Sequence, residues 1–248
     1  MKKRHLGLGT SFGADMGQGT THDMIAERLG SESHNLSEQG AGFQLMLTEA
    51  QLWLARQRDL RGVTASVSVS SAYRMDVVRG INEKGKLQWS KWDANHRKAA
   101  HMIRSLSRED DLVREGNAKW DIRYTYHLKQ YTEMLNLHNL FCRHNIPHLI
   151  WRTNRPRERH YSREQQLTLK ILEKLMPAKH FFDITQTHID HLIESGDFMD
   201  PTPLDKPIPY YHTTVKVKDE HPTRRGNETW VDKLWAHSSE HGSFTKVD

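Results

Sequence analysis

Apolar residues return along this chain in two rhythms. Phe43, Met46, Leu47, Ala50, Trp53 and Leu54 recur every three or four positions and line one face of a helix. Residues 63–70 instead alternate valine and serine, with β-branched residues throughout, and read as a strand. The exchange continues on either side. Residues 5–9 form a short, glycine-rich apolar run that stops at Thr10-Ser11. Thr20 or Thr21 can cap a helix that carries Met24, Ile25 and Leu29 and is closed by Gly30. Residues 32–36 read as a second short strand. A long helix is expected over 122–143, with Leu128, Tyr131, Met134, Leu135 and Phe141 on one side, and residues 146–151 as a fourth strand. Ser162, with Gln165 three positions on, fits a capping box for a helix whose buried side is Ile171, Leu172 and Leu175. Residues 181–184 are a candidate fifth strand, 197–218 are Pro-rich and irregular, and a last helix runs over 224–235 with Trp230 and Trp235 in its core positions.

Strands alternating with helices predict an α/β fold, a three-layer α/β/α (flavodoxin-like) arrangement around a parallel sheet of about five strands. The whole chain, 1–248, reads as one domain, with an inserted helical or loop region at about 72–120 that holds a helix near 94–107. In such sheets the site lies beyond the carboxyl ends of the strands, near the switch in strand order. Ser11, Gly40, Ser71 and the 152–154 segment each follow a strand, so the topology can bring them together.

Gly9-Thr10-Ser11-Phe12-Gly13 puts a serine in a strand-to-loop turn between glycines, where small neighbours let the backbone bend and the hydroxyl project. Serines in such turns are commonly turn formers. A nucleophilic serine needs a base, and the base an orienting acid. Asp219-Glu220-His221-Pro222, just before the last helix, can supply both: in an extended segment residues two apart share a face. Asp219 would then hold the imidazole tautomer and His221 would take the Ser11 proton.

These two ends together resemble the SGNH (GDSL-like) hydrolases over essentially the whole chain. Leu8-Gly9-Thr10-Ser11-Phe12 is similar to their first block, residues 35–42 with Gly40 to the second, and Asp219-Glu220-His221-Pro222-Thr223-Arg224-Arg225-Gly226 to the last. The third block, G-x-N-D, has no counterpart. Residues 68–74 read SVSSAYR, similar to a serine-containing variant in some phage-type relatives. The resemblance implies acyl transfer: Ser11 as nucleophile, His221 as base, Asp219 as acid, and an oxyanion held at Ser11, Gly40 and a third donor. Ser71 fits that donor by its strand position, with Asn154 as the alternative. The implied substrate is an acyl or acetyl ester of a small molecule or carbohydrate. The missing asparagine block leaves a second reading, a weak or inactive binding or structural protein with the same fold.

Composition trims the alternatives. Hydrophobic residues are 36% and charged residues 27%, a globular balance. No apolar run approaches the roughly 20 residues of a membrane span. Met1-Lys2-Lys3-Arg4 is basic like a leader, but a short Gly-rich stretch with no clean cleavage site follows, and a cytoplasmic protein is expected. The net charge of +5 is dispersed and no nucleic-acid-binding motif accompanies it. Cys142, the single cysteine, reads as a buried structural thiol beside Phe141. His188 and His191 flank Asp190 at ligand spacing, yet read as a solvated helix face, so neither a metal nor a cofactor is expected.

Overall fold

Alternation on a strand ordinarily separates a buried face from a wet one, but here both faces of the sheet are covered. The computed structural model describes residues 2–10, 12–14, 17, 19–38, 41–69, 74–81, 87–93, 122–153, 161–183, 185–203 and 217–245. Its elements follow as β1 (Arg4–Leu8), α1 (Thr21–Arg28), β2 (Glu32–Asn35), α2 (Phe43–Arg56), β3 (Val63–Val69), β4 (Arg74–Ile81) and β5 (Leu87–Asp93). Then come α3 (Ile122–Arg143), β6 (His148–Arg152), α4 (Arg163–Lys174), α5 (His188–Ser195), β7 (Phe198–Pro203), β8 (Val217–Pro222) and α6 (Arg224–His241). The central sheet is parallel, in the order β2-β1-β3-β6.

One face of that sheet carries Leu6, Leu8, Val63, Ala65, Val67, Val69 and Ile150. It packs against Met46, Ala50 and Trp53 of α2 and Tyr131, Met134 and Phe141 of α3. The other face carries Leu149 and Trp151, which meet Ile25 of α1 and Trp230, Val231 and Leu234 of α6. The expected three layers are therefore present. The valines of β3 serve the first core. Its serines, Ser66 and Ser68, point the opposite way and are equally buried, beneath α1.

Local chemistry accounts for the element ends. Thr20 caps α1, its side chain accepting from the Asp23 N–H. Gly30, at φ 59°, takes the left-handed position that ends the helix, and Ser31 N–H closes back to the Ala26 carbonyl. The Ser162–Gln165 capping box forms as expected. At α6, Thr223 accepts from the Gly226 N–H. Gly226 is required there because a Cβ would lie 2.8 Å from Leu192 Cδ2 and 3.0 Å from the Asp197 carbonyl oxygen. Asn227, one residue on, ties α6 to α1: its amide donates to the Gly19 carbonyl at 3.0 Å and its oxygen accepts from Thr21 Oγ1 at 3.0 Å.

Several expectations are corrected. Among the described residues the expected fifth strand is a single bridge, Ile150 to Phe181, beside a four-stranded sheet. Within the 72–120 stretch, β4 and β5 pair as an antiparallel hairpin with an irregularity between Val78 and Gly80. The helix anticipated near 94–107 lies outside the described residues. β7 and β8 pair antiparallel where an irregular segment was expected. On α4 the inward residue is Leu169, while Ile171 and Leu175 are, with Leu167, more than half exposed. Helical periodicity identifies an apolar stripe but not which stripe finds a neighbour, and α4 meets the core through Leu169 and Leu172. Cys142 is exposed, because Phe141 holds the core-facing position and the next residue turns about 100° around the helix. His188 and His191 are buried, not solvated: α5 packs on α6, and both rings lie against Trp230. No described helix is long and apolar enough to cross a membrane.

The Asn227 clamp carries a prediction. Asn227→Ala should lower stability by about 1–3 kcal/mol, chiefly the cost of leaving the buried Thr21 hydroxyl without its acceptor. Urea unfolding would read this as a lower midpoint at unchanged slope. An unchanged midpoint would remove the clamp from the account of how α6 is seated.

Candidate active site

The last block is held by backbone geometry first. β8 puts Asp219 and His221 two residues apart on one strand, hence on one face. β7 fixes the register, pairing Asp200 with Asp219 and Phe198 with Pro222. Asp219 Oδ1 accepts twice from His221, from the backbone N–H at 3.0 Å and from ring Nδ1 at 2.6 Å. The second bond commits Nδ1 to the carboxylate and leaves Nε2 as the ring's free nitrogen. Partial burial pushes the Asp219 carboxyl up. The two hydrogen bonds and the nearby imidazole outweigh that, and the net shift is downward. Both side chains keep some contact with solvent.

The first block meets this pair through Phe12. Its ring lies 5.4 Å, centre to centre, from the His221 ring, and 5.5 Å from His188 in an edge-on arrangement. His188 stacks in turn on Trp230 at 5.0 Å, with the planes within 8°. Phe12 also packs with Ile189, Leu192 and Phe198, so the turn after β1 is anchored to α5, β7 and β8 together. Ser11 itself lies outside the described residues, between Thr10 and Phe12. The flanking backbone makes a tight turn: the Thr10 carbonyl accepts from the N–H groups of Gly13 and Ala14, both at 2.8 Å.

The two glycines of this turn are explained by what lies beneath them. A Cβ on Gly9 would fall 2.0 Å from Ser68 Oγ, and one on Gly13 would fall 2.7 Å from both His22 Nε2 and Ser37 Oγ. The turn can therefore sit down on β3 and α1 only where there is no side chain. Under it runs a buried polar chain. His5 Nδ1 meets Thr64 Oγ1 at 2.8 Å and its Nε2 meets Ser66 Oγ at 2.7 Å. Ser66 Oγ also meets His22 Nδ1 at 2.6 Å, and His22 Nε2 reaches Ser68 Oγ at 3.3 Å. Burial lowers His5 to about 3, helped by the neighbouring His22. Burial likewise lowers His22 to about 4, against the pull of Asp23. Both rings are therefore neutral at pH 7 and can each offer one donor and one acceptor. Nothing in the motif reading pointed to this chain. The signal available was the pair of serines, Ser66 and Ser68, alternating with buried apolar residues on β3.

The remaining expected site residues, Gly40, Ser71 and Asn154, lie outside the described residues. Their described neighbours do converge. Glu38 N–H donates to the Gly9 carbonyl at 3.2 Å, and Thr153 N–H donates to the Val69 carbonyl at 2.8 Å, which lines up the carboxyl ends of the parallel strands. A cavity of about 720 Å³ opens at the opposite end of the sheet, between Lys3, Asp59, Gly62, His144 and Pro147. It touches neither Asp219 nor His221, and the hydrogen-bonded pair rather than the cavity marks the candidate site.

No family model matches the chain, and no curated protein matches it in sequence. Solved structures do resemble it. One is a member of the lipolytic protein G-D-S-L family from Veillonella parvula DSM 2008, at 11% identity and a TM-score of 0.44, covering 94% of this chain and 97% of that one. Another is an acetyl xylan esterase from the rumen bacterium Butyrivibrio proteoclasticus, at 10% identity and a TM-score of 0.40, covering 98% of this chain and 65% of that one.

The buried histidines beneath the turn carry a pH prediction. Their folded-state values lie below the ordinary value of about 6.5, so the unfolded chain binds more protons in between. Stability is complete above that value and should fall as pH drops towards 4, by on the order of 1 kcal/mol per pH unit for each histidine. Denaturant midpoints measured between pH 7 and pH 4.5 check this, and His22→Gln should flatten the slope. A slope that His22→Gln leaves unchanged would mean that other groups set the acid limit.

Proposed function

We propose that this chain is a serine ester hydrolase in which Ser11 is the nucleophile, His221 the general base and Asp219 the acid that orients it. The observation that carries the reading is the Asp219–His221 pair: two hydrogen bonds to one carboxylate oxygen, with the ring beside Phe12, the residue next to Ser11. In this reading His221 Nε2 takes the Ser11 proton as Oγ attacks the ester carbonyl. The protonated ring then returns it to the departing alcohol, and a water, activated the same way, releases the acid. Asp219 stays ionised and favours the imidazolium that forms between the two transfers.

Backbone N–H groups of Ser11 and Gly40, with Ser71 or Asn154 as third donor, are the proposed oxyanion site. One such donor is worth about 2.7–4 kcal/mol of transition-state stabilisation. The proposed substrate is a small acyl or acetyl ester, the alcohol being a small molecule or a carbohydrate. The absence of a recognisable G-x-N-D block motivates the second reading, a catalytically weak or inactive binding or structural protein with this fold.

Labelling by a fluorophosphonate probe tests the nucleophile without knowledge of the substrate. The wild-type chain should label, and Ser11→Ala should not. With p-nitrophenyl acetate, Asp219→Asn should slow turnover on the order of 10⁴-fold, because an amide holds the wrong imidazole tautomer. A wild-type chain that neither labels nor outpaces Ser11→Ala would favour a binding protein that keeps the fold.

A further inference from the structure

A second cluster of ligand-bearing side chains lies at the amino end of β6, away from the strand ends that carry the candidate active site. His138 and Cys142 stand one helical turn apart on α3, His148 opens β6, and His180 immediately precedes the Phe181 bridge. Ligand atoms of the three histidines all lie within 4.8 Å of one another. His138 Nδ1 is 2.9 Å from His148 Nε2, and Cys142 Sγ is 3.7 and 3.6 Å from the two ring nitrogens of His138. We propose that His138, His148 and His180 form a structural site for a divalent ion of the zinc class, with Cys142, whose Sγ neighbours His138 but lies outside the three-histidine cluster, turning in as the fourth ligand.

The separations of His138 from His148 and from Cys142 are close to those such an ion imposes. Metal–nitrogen bonds of about 2.0–2.1 Å and metal–sulfur bonds of about 2.3 Å give tetrahedral edges of roughly 3.3 Å between nitrogens and roughly 3.6 Å between nitrogen and sulfur. Three imidazoles and a thiolate are a borderline-soft set, suited to zinc and not to calcium or magnesium. The surroundings also orient the rings as ligands require. His148 Nδ1 donates to the Ile146 carbonyl at 2.7 Å, and His180 Nδ1 to the His148 carbonyl at 3.3 Å. Each bond puts the ring proton on Nδ1 and turns the Nε2 lone pair free, the usual outer-sphere device of metal-binding histidines.

Binding an ion here releases the Cys142 thiol proton to solvent as the metal–sulfur bond forms, and His138 moves its remaining proton to the nitrogen that does not bind.

The fold gives such an ion a purpose. β6 is the edge of the described sheet, and beyond it the 180–182 segment is held by two backbone hydrogen bonds, from Ile150 N–H to the His180 carbonyl and from Phe182 N–H to the Ile150 carbonyl, both 2.9 Å. An ion shared by His138, Cys142, His148 and His180 would fasten the last turn of α3, the start of β6 and this segment together.

The test uses the full chain, stripped by a chelator and titrated with Zn²⁺ against a chromophoric competitor, then with Co²⁺ for its absorption spectrum. One tight equivalent of zinc and a tetrahedral cobalt spectrum with a sulfur-to-cobalt charge-transfer band are expected. His138→Gln and His180→Gln, both at half-buried rings, are the variants of choice over the buried His148, with apo circular dichroism matching wild type as the check that the core is intact. Each should weaken zinc by roughly 1,000-fold or more, beyond the roughly 10–100-fold that loss of an outer-sphere partner alone costs. Cys142→Ser should abolish the charge-transfer band. No tight equivalent, affinity unchanged in both histidine variants, or a wild-type cobalt complex lacking the thiolate band would each overturn the site. None of these readouts depends on ester hydrolysis.

Discussion

Two-sided burial is the constraint on which the rest of this structure depends. A parallel sheet covered by helices on both faces leaves no water for a polar side chain to turn to. β3 nevertheless alternates valine with serine. The hydroxyls of Ser66 and Ser68 must find partners inside, and they find them in the imidazoles of His5 and His22. A strand pattern that ordinarily signals one wet face is here one apolar core and one hydrogen-bonded core, back to back.

That second core bears directly on the candidate site. Ser68 and His22 form the floor on which Gly9 and Gly13 rest, so the turn between them is shaped by residues that need take no part in chemistry. Phe12 supplies the complementary constraint from above, pressed between His188 and His221. The same economy shows in the last block. Pro222 pairs with Phe198 across the hairpin, Thr223 caps α6, Gly226 clears Leu192, and Asn227 binds α1. A motif that reads as catalytic is, for most of its length, the joint between a hairpin and a helix.

Much of this was legible in the sequence. Elements with a strong internal signal, such as α2 by its periodicity and α4 by its capping box, stand where expected, because their causes are local. The pairing of Asp219 with His221 was legible too, since residues two apart on extended backbone must share a face. What could not be read depends on partners distant in the chain. Of the expected side Ile171, Leu172 and Leu175, only Leu172 meets the core, because tertiary packing chose the face that carries Leu169. His188 and His191 looked solvated because no local pattern announces Trp230, some forty residues away. The cluster around His148 joins three segments whose proximity follows from the position of β6 at the sheet edge, and no spacing rule spans them.

The arrangement of β8 separates two kinds of precision. The geometry between Asp219 and His221 is written into two peptide units of one strand, so it persists as long as that strand is extended. The distance from His221 to the turn after β1 has no such covalent basis and rests on the grip of an aromatic ring. Asp219 and His221 therefore travel as a single part, and loosening Phe12 would act as a clutch, disengaging that part while leaving it intact.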